Sequence, residues 1–204
     1  GVILVPLLLL FSDLEPASVA GTSLTLVAIN SFAGTAAYHR EGMIDRRSGL
    51  LFGMAALPGS MAAPFVVKAV DPDAFRVLLG LLLIGLAIYM LVPRRQTEYP
   101  RQAIRWTVKE RHFTTDRGQE FDYEFNEALG ALMNMVIGFL AAFFGTGGGF
   151  IRMPVLVRAF GFPVRVAVAT SVLAMSIYAT AAAATHAVLG HVDWYPTLVW
   201  VGMG

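Results

Sequence analysis

The chain has 204 residues, 56% of them hydrophobic and only 14% charged, with a formal net charge of +1. Soluble domains carry nearer a quarter charged residues, so a mean hydropathy of +0.65 points to a membrane protein. The absence of cysteine excludes disulfides and thiolate metal sites, and no basic, aromatic-interleaved surface supports nucleic-acid binding.

In chain order, Val2–Phe11 is apolar but too short to span a bilayer, and it ends at the loop Ser12–Pro16. No Asp, Glu, Lys or Arg falls within Ala17–Tyr38, Leu50–Val67 or Val166–Val188. Each of these runs approaches or exceeds the roughly 20 residues a spanning helix needs. The run Leu50–Val67 carries Gly53, Pro58, Gly59 and Pro64, the composition of a kinked, closely packed helix. Asp71-Pro72-Asp73 makes a tight turn, and Ala74–Val92 returns across the membrane. The apolar runs lack the period-2 alternation of β-barrel strands, which excludes that architecture. The expected fold class is therefore all-α: a polytopic transmembrane helical bundle.

Arg94–Asn126 is the one long polar segment. Residues 94–111 carry six basic and two acidic residues, and residues 112–127 carry one basic and five acidic. This composition fits a self-neutralising cytoplasmic hairpin; a regulatory or partner-docking element is the alternative. The division expected is a first transmembrane repeat over 1–93, a cytoplasmic insert over 94–126 and a second repeat over 127–204. Both ends fall inside apolar runs, so each repeat is expected to be truncated, the first at its start and the second at its end.

Sliding the chain on itself by 148 residues brings these halves into register. Gly1 through Pro6 lies on Gly149 through Pro154, Thr22-Ser23 on Thr170-Ser171, Gly42 on Gly190 and Asp45 on Asp193; His39 and His186 match within one residue. The positive-inside rule puts 39–49, with three Arg, and 94–126, with seven Lys plus Arg, on the cytoplasmic side. Counting crossings from there puts equivalent loops on opposite faces. An inverted-topology repeat with Gly-rich broken helices is the expectation, an arrangement common among secondary transporters, with a site near the midplane.

The break itself is Gly145-Thr146-Gly147-Gly148-Gly149, in the middle of the apolar region Ala128–Phe160. Each Gly costs a helix about 1 kcal/mol against Ala, and freed backbone groups at membrane depth need a polar cavity or protein partners. Helix-end N–H groups at such a break attract anions; the plainer reading is close helix packing. Arg152 follows it, an intramembrane cation that by default marks function, either as a bidentate anion ligand or snorkelling towards Arg158 and Arg165. The repeated pairs Thr22-Ser23 and Thr170-Ser171 either line the site or bond the carbonyls of the preceding turn. Asn30 lies mid-span and either joins the site or bridges helices; Asn134 is a lesser candidate. His39 and His186 pack at the interface or couple protons, His191 is read as a loop residue, and Asp45 and Asp193 as helix caps. The four His and absent Cys give no metal-ligand cluster, and no nucleophile–base set or Walker loop supports catalysis. No cofactor is expected.

The ensemble Gly-Thr-Gly-Gly-Gly-Phe-Ile-x-x-Pro-x-Leu, then Pro163, Ala167, Ala169-Thr170-Ser171, His186 and Gly190-His191-Val192-Asp193-Trp194, resembles the sulfite exporter family TauE/SafE. The resemblance covers both halves outside the insert. It implies a multi-pass transporter of the bacterial or archaeal cytoplasmic (inner) membrane that exports sulfite, sulfoacetate or a related organosulfonate by alternating access. The partners implied are a small sulfur-containing anion, a coupling proton or sodium ion, membrane lipid and a second copy of the chain. Two rival readings are an anion channel and a membrane sensor or scaffold working through the 94–126 insert.

Overall fold

The computed structural model describes residues 1–12, 14–92, 108–114 and 120–194, with residues 108–114 and 120–124 described by backbone alone. Seven helices and one strand pair are present among them: α1 (Leu4–Phe11), α2 (Pro16–Arg40), α3 (Arg46–Val67), α4 (Pro72–Leu91), β1 (Val108–Thr114), β2 (Glu120–Asn126), α5 (Glu127–Phe143), α6 (Gly149–Ala159) and α7 (Val164–Val188). Four of them, α2, α3, α4 and α7, are long and apolar enough to cross a membrane, and α5 is a shorter apolar helix. The chain is a polytopic helical bundle, as its charge-free runs require. The last apolar run, 195–204, lies outside the described residues, as does most of the insert.

Local chemistry sets the helix boundaries. Asp45 begins α3 by accepting hydrogen bonds from the Ser48 amide (3.1 Å) and hydroxyl (2.5 Å). Asp71 caps α4 through the Asp73 amide at 2.9 Å, and Asn126 caps α5 through the Leu129 amide at 2.9 Å. Pro sits in the first turn of α2 and α4, where its missing N–H is not needed. Pro58 and Pro64 both lie inside a continuous α3.

Helix α3 packs chiefly on α5 and α7, and α2 on α7. The α3–α5 contact depends on two residues without side chains. A Cβ on Gly59 would stand 2.2 Å from the Met135 carbonyl oxygen, and one on Gly138 2.5 Å from that of Ala56. With little hydrophobic driving force between helices in lipid, such backbone proximity is what gives association its van der Waals energy. An aromatic cluster of Phe52, Phe125, Phe160 and Phe162 fills the space beside it. Most of α4 faces outward, burying only Phe75 and Leu79; Phe75 meets Phe143 and Phe144 at 5.5 and 5.3 Å between centroids. Arg158 of α6 donates to the carbonyls of Tyr89, Met90 and Val92, satisfying the C-terminal end of α4.

Within the polar insert, β1 and β2 form an antiparallel hairpin that runs from Val108 opposite Asn126 to Thr114 opposite Glu120. Of the segment 94–126, the strands 108–114 and 120–126 are described and paired, and the second hands the chain to α5 through the Asn126 cap; residues 94–107 and 115–119 lie outside the described residues.

Candidate functional site

Helix α5 ends at Phe143, and the chain crosses Phe144–Gly148 before α6 begins at Gly149. Gly145, Gly147 and Gly148 all adopt positive φ, at 69°, 77° and 67°, a region closed to most L side chains. The break also fits against α2: a Cβ on Gly145 would lie 2.5 Å from the Ala20 backbone, and one on Gly147 2.3 Å from Val27. Both proposed properties of this stretch, an interrupted helix and a close approach, are therefore present together.

Beside the break lies a cavity of about 460 Å³, lined by Gly1, Leu4, Leu26, Val27, Asn30, Ser31, Gly34, Thr146, Gly149, Phe150, Val172 and Met175. Small-molecule sites typically span about 300–1,000 Å³. The walls come from α1, α2, the break, α6 and α7. Several lining positions are equivalents at the 148-residue offset, namely Gly1 with Gly149 and Val27 with Met175. Thr146 is buried, and its hydroxyl has no hydrogen-bond partner among the described residues. The N-terminal end of α6 has no side-chain cap, and Gly149 and Phe150 of its first turn line the cavity, which sets the positive end of the helix dipole beside it.

Of the candidate site residues, Asn30, Thr146 and Gly149 meet in this cavity. Gly145, Gly147 and Gly148 shape the break behind it. Thr22 and Thr170 are not in the lining. Each accepts a backbone N–H across the bundle: Thr22 from Asp193 at 3.0 Å, Thr170 from Asp45 at 3.3 Å. Because Thr22 and Asp45 are the offset equivalents of Thr170 and Asp193, the two bonds are reciprocal. Ser23 and Ser171 are buried, their hydroxyls unpartnered among the described residues, each four residues before a lining residue, Val27 and Met175, and so one turn from the cavity on the same helix face.

Arg152 is fully buried, with 0% of its surface exposed. It does not snorkel. Its Nε donates to Asn134 Oδ1 at 2.5 Å, and its guanidinium carbon lies 4.7 Å from the centroid of the Tyr178 ring. The Tyr178 hydroxyl in turn donates to the Gly147 carbonyl. Both terminal guanidinium nitrogens are buried without a partner among the described residues. A buried cation with one hydrogen bond and a π face is under-compensated. It sits one turn along α6 from the lining residue Gly149, behind the cavity wall rather than in it.

The histidines separate. His39 is exposed at the end of α2, where the Arg46 guanidinium approaches its ring nitrogens at 3.3 and 3.4 Å. His186 is fully buried at the end of α7; its Nε2 faces the Ala142 carbonyl at 3.3 Å, and its Nδ1 faces Nδ1 of His191 at 3.3 Å. His191 lies in the loop after α7 yet is buried. Burial holds its imidazole below the usual histidine range; Lys68 pushes the same way and Glu15 opposes. Sequence reasoning missed this pairing and the roles of Tyr178 and Asn134. The signals were a His five residues from another across a helix end, and a lone amide in an apolar helix.

A family model described as "Sulfite exporter TauE/SafE" matches residues 1–204. The probable membrane transporter protein YunE of Bacillus subtilis (strain 168) is 31% identical over 210 residues, covering 98% of this chain and 75% of that protein. A probable membrane transporter protein of Xylella fastidiosa (strain Temecula1) is 25% identical over 195 residues, 95% of this chain and 68% of its own. The probable membrane transporter protein MJ0441 of Methanocaldococcus jannaschii is 31% identical over 153 residues, 74% of this chain and 49% of that one. No solved structure matches the chain.

Proposed function

The chain belongs to the TauE/SafE sulfite exporter family, a multi-pass membrane transporter, and from that premise we propose that it exports a small sulfur-containing anion such as sulfite, sulfoacetate or a related organosulfonate. The observation that carries this reading is the cavity at the glycine break. It joins a buried Thr146 hydroxyl that is unpartnered among the described residues, the side-chain amide of Asn30 and the uncapped start of α6, while the Ser31 hydroxyl is committed to the Ala28 carbonyl. Donors and a helix N-terminus, with no carboxylate among the lining residues, suit an oxyanion. Apolar walls from Leu26, Val27, Phe150, Val172 and Met175 suit the body of an organosulfonate.

Arg152 is the counter-charge in this reading. Its two unpartnered guanidinium nitrogens lie one turn behind Gly149, so the cavity feels its field through a low-dielectric wall. A rearrangement of the break that turns α6 would bring the fork to the anion. Alternating access follows from the proposed inverted repeat: one half rocks against the other about the shared cavity. The reciprocal Thr–Asp bonds and the matched lining positions support that two-fold relation. The carried anion is coupled to a proton or sodium ion, and no enzymatic step or cofactor enters the cycle.

Counterflow of radiolabelled sulfite in proteoliposomes of the full-length protein tests the proposal, with unlabelled sulfite, sulfoacetate, sulfate and phosphate as competitors. An overshoot that only sulfite and sulfonates compete away is the expected result. Uptake without overshoot would favour an anion channel, and uptake of none of these anions would remove the sulfur assignment.

A further inference from the structure

The end of α7 carries a side-chain cluster that the anion cavity does not use. His186 and His191 are both buried, their rings meeting nearly edge to face with centroids 5.5 Å apart. Their hydrogen bonds determine the tautomers of the neutral pair. A carbonyl oxygen only accepts, so His186 Nε2, which faces Ala142, carries a proton. His186 Nδ1 is then a bare lone pair. His191 Nδ1 must donate to it across 3.3 Å, which leaves His191 Nε2 bare, buried and without a partner among the described residues. One open nitrogen remains for the whole pair.

We propose that His186 and His191 form a single-proton site, with His191 Nε2 as its port, that couples proton binding to closure of the bundle at the end of α7. The inference rests on the transporter reading and names its coupling ion as the proton. A proton taken from water at Nε2 makes His191 an imidazolium; the Nδ1 proton can then shift to His186 Nδ1, so either ring holds the charge. Both hydrogen bonds survive, and the charge gained is one.

What the proton acts on is the surrounding junction. Ala142, which receives the His186 bond, also accepts the amide of Gly145, the first glycine of the break. On the opposite side, a Cβ on Gly21 of α2 would lie 2.4 Å from the His191 carbonyl oxygen and 3.2 Å from His186 Cβ. Two residues on, Asp193 donates its amide to Thr22. The pair thus joins α2 to the ends of α5 and α7. The charged groups acting on it are Lys68 at the end of α3, which repels the added proton, and Glu15 at the start of α2, which attracts it; Ala142 is the contact from α5 and is neutral. A cation buried here disfavours the closed junction and favours a state in which the 189–193 loop lifts from α2 and hydrates His191. Proton binding and closure therefore oppose each other, which is a coupling between two states.

The first test needs no transported anion. Histidine-15N NMR of the full-length protein, with His191→Gln and His186→Gln for assignment among the four histidines, is expected to give His191 as the Nδ1–H tautomer and His186 as the Nε2–H tautomer at neutral pH. Burial holds His191 below its unfolded value of about 6.5. The unfolded chain therefore takes up the proton first, so stability is full above that value and falls as the pH drops below it. Melting temperature should fall from about pH 7.5 to about pH 5.5 in the wild type, and at least half of that fall should vanish in His191→Gln. In proteoliposomes the same variant should flatten the pH profile of counterflow. Nε2–H on His191, or an unchanged pH dependence of melting in His191→Gln, would overturn the site. Absence of sulfite transport with the NMR and melting results intact would instead fault the substrate assignment.

Discussion

The two ends of α2 and α7 have the same backbone and different chemistry. Gly42 closes α2 at φ 64° and Gly190 closes α7 at φ 74°, offset by 148 residues. The Met43 amide reaches back to the Tyr38 carbonyl at 3.2 Å, and the His191 amide to that of His186 at 2.9 Å. Both are the same helix-ending turn. In the first half the side chains thus brought together are Tyr38 and Met43, which pack in an apolar cluster with Ile44, Ala169 and Leu173. In the second they are two imidazoles. The same contrast recurs at Leu4 against Arg152, and at Asn30 against Tyr178. At these matched positions the backbone turns are alike, and the chemistry differs where the side chains do.

The sharpest way to break this comparison is at the glycines. Gly145→Ala forces a Cβ to 2.5 Å from the Ala20 backbone at φ 69°, whereas Gly190→Ala has the same kind of φ with nothing within 4 Å. Left-handed strain alone is about 1–2 kcal/mol, and that is the loss expected for Gly190→Ala. Gly145→Ala must also push α2 from the break, so loss of the folded protein is expected in detergent thermal melts. Equal melting of the two variants would mean that the break does not pack on α2. Next in size is Arg152→Leu, which makes α6 resemble α1. Transport should drop by more than about tenfold in kcat/KM, or about 1.4 kcal/mol. Melting should change little, because the relief of the buried charge's desolvation offsets the partner that Asn134 loses, itself about 1–3 kcal/mol. A variant that transports normally would reduce Arg152 to a packing element.

Much of this was legible in the sequence. The charge-free runs locate α2, α3 and α7 to within a few residues because spanning helices must exclude charge, and the glycine run marks the break because no ordinary helix tolerates it. The 148-residue register anticipates the matching bounds of α2 and α7. Thr22 and Thr170 were half legible: their repetition signalled a shared role, but a hydroxyl looks the same in sequence whether it faces a ligand or accepts from a backbone amide across the bundle. Arg152 was legible as a cation at membrane depth, yet its placement behind the wall depends on Asn134 and Tyr178, eighteen and twenty-six residues away. His191 was the real omission, since a loop position after a helix gives no sign of being buried under α2.

The reciprocal bonds offer a smaller test that sharpens the two-fold relation. Thr22→Val removes the acceptor of the Asp193 amide, and Thr170→Val that of the Asp45 amide. Leaving a buried amide unmet costs about 1–3 kcal/mol, so both variants should melt lower by similar amounts. Thr170→Val should lose slightly more, because its bond is the more buried of the two. A cost at one site alone would show that the halves carry unequal loads at this contact.

The smallest expected change in stability belongs to Thr146→Val, and it isolates the cavity from the frame. The Thr146 hydroxyl is already buried without a partner, so the folded protein has met its desolvation penalty. Valine keeps the shape and removes the polar atom, and melting should stay within about 0.5 kcal/mol of wild type or rise. If the hydroxyl is held unpartnered for an anion, the apparent KM for the carried anion should rise several-fold with little change in kcat, the pattern of a lost ground-state contact. An unchanged KM in Thr146→Val would leave the α6 amides and Asn30 as the donors, and would move the anion away from the break towards α2.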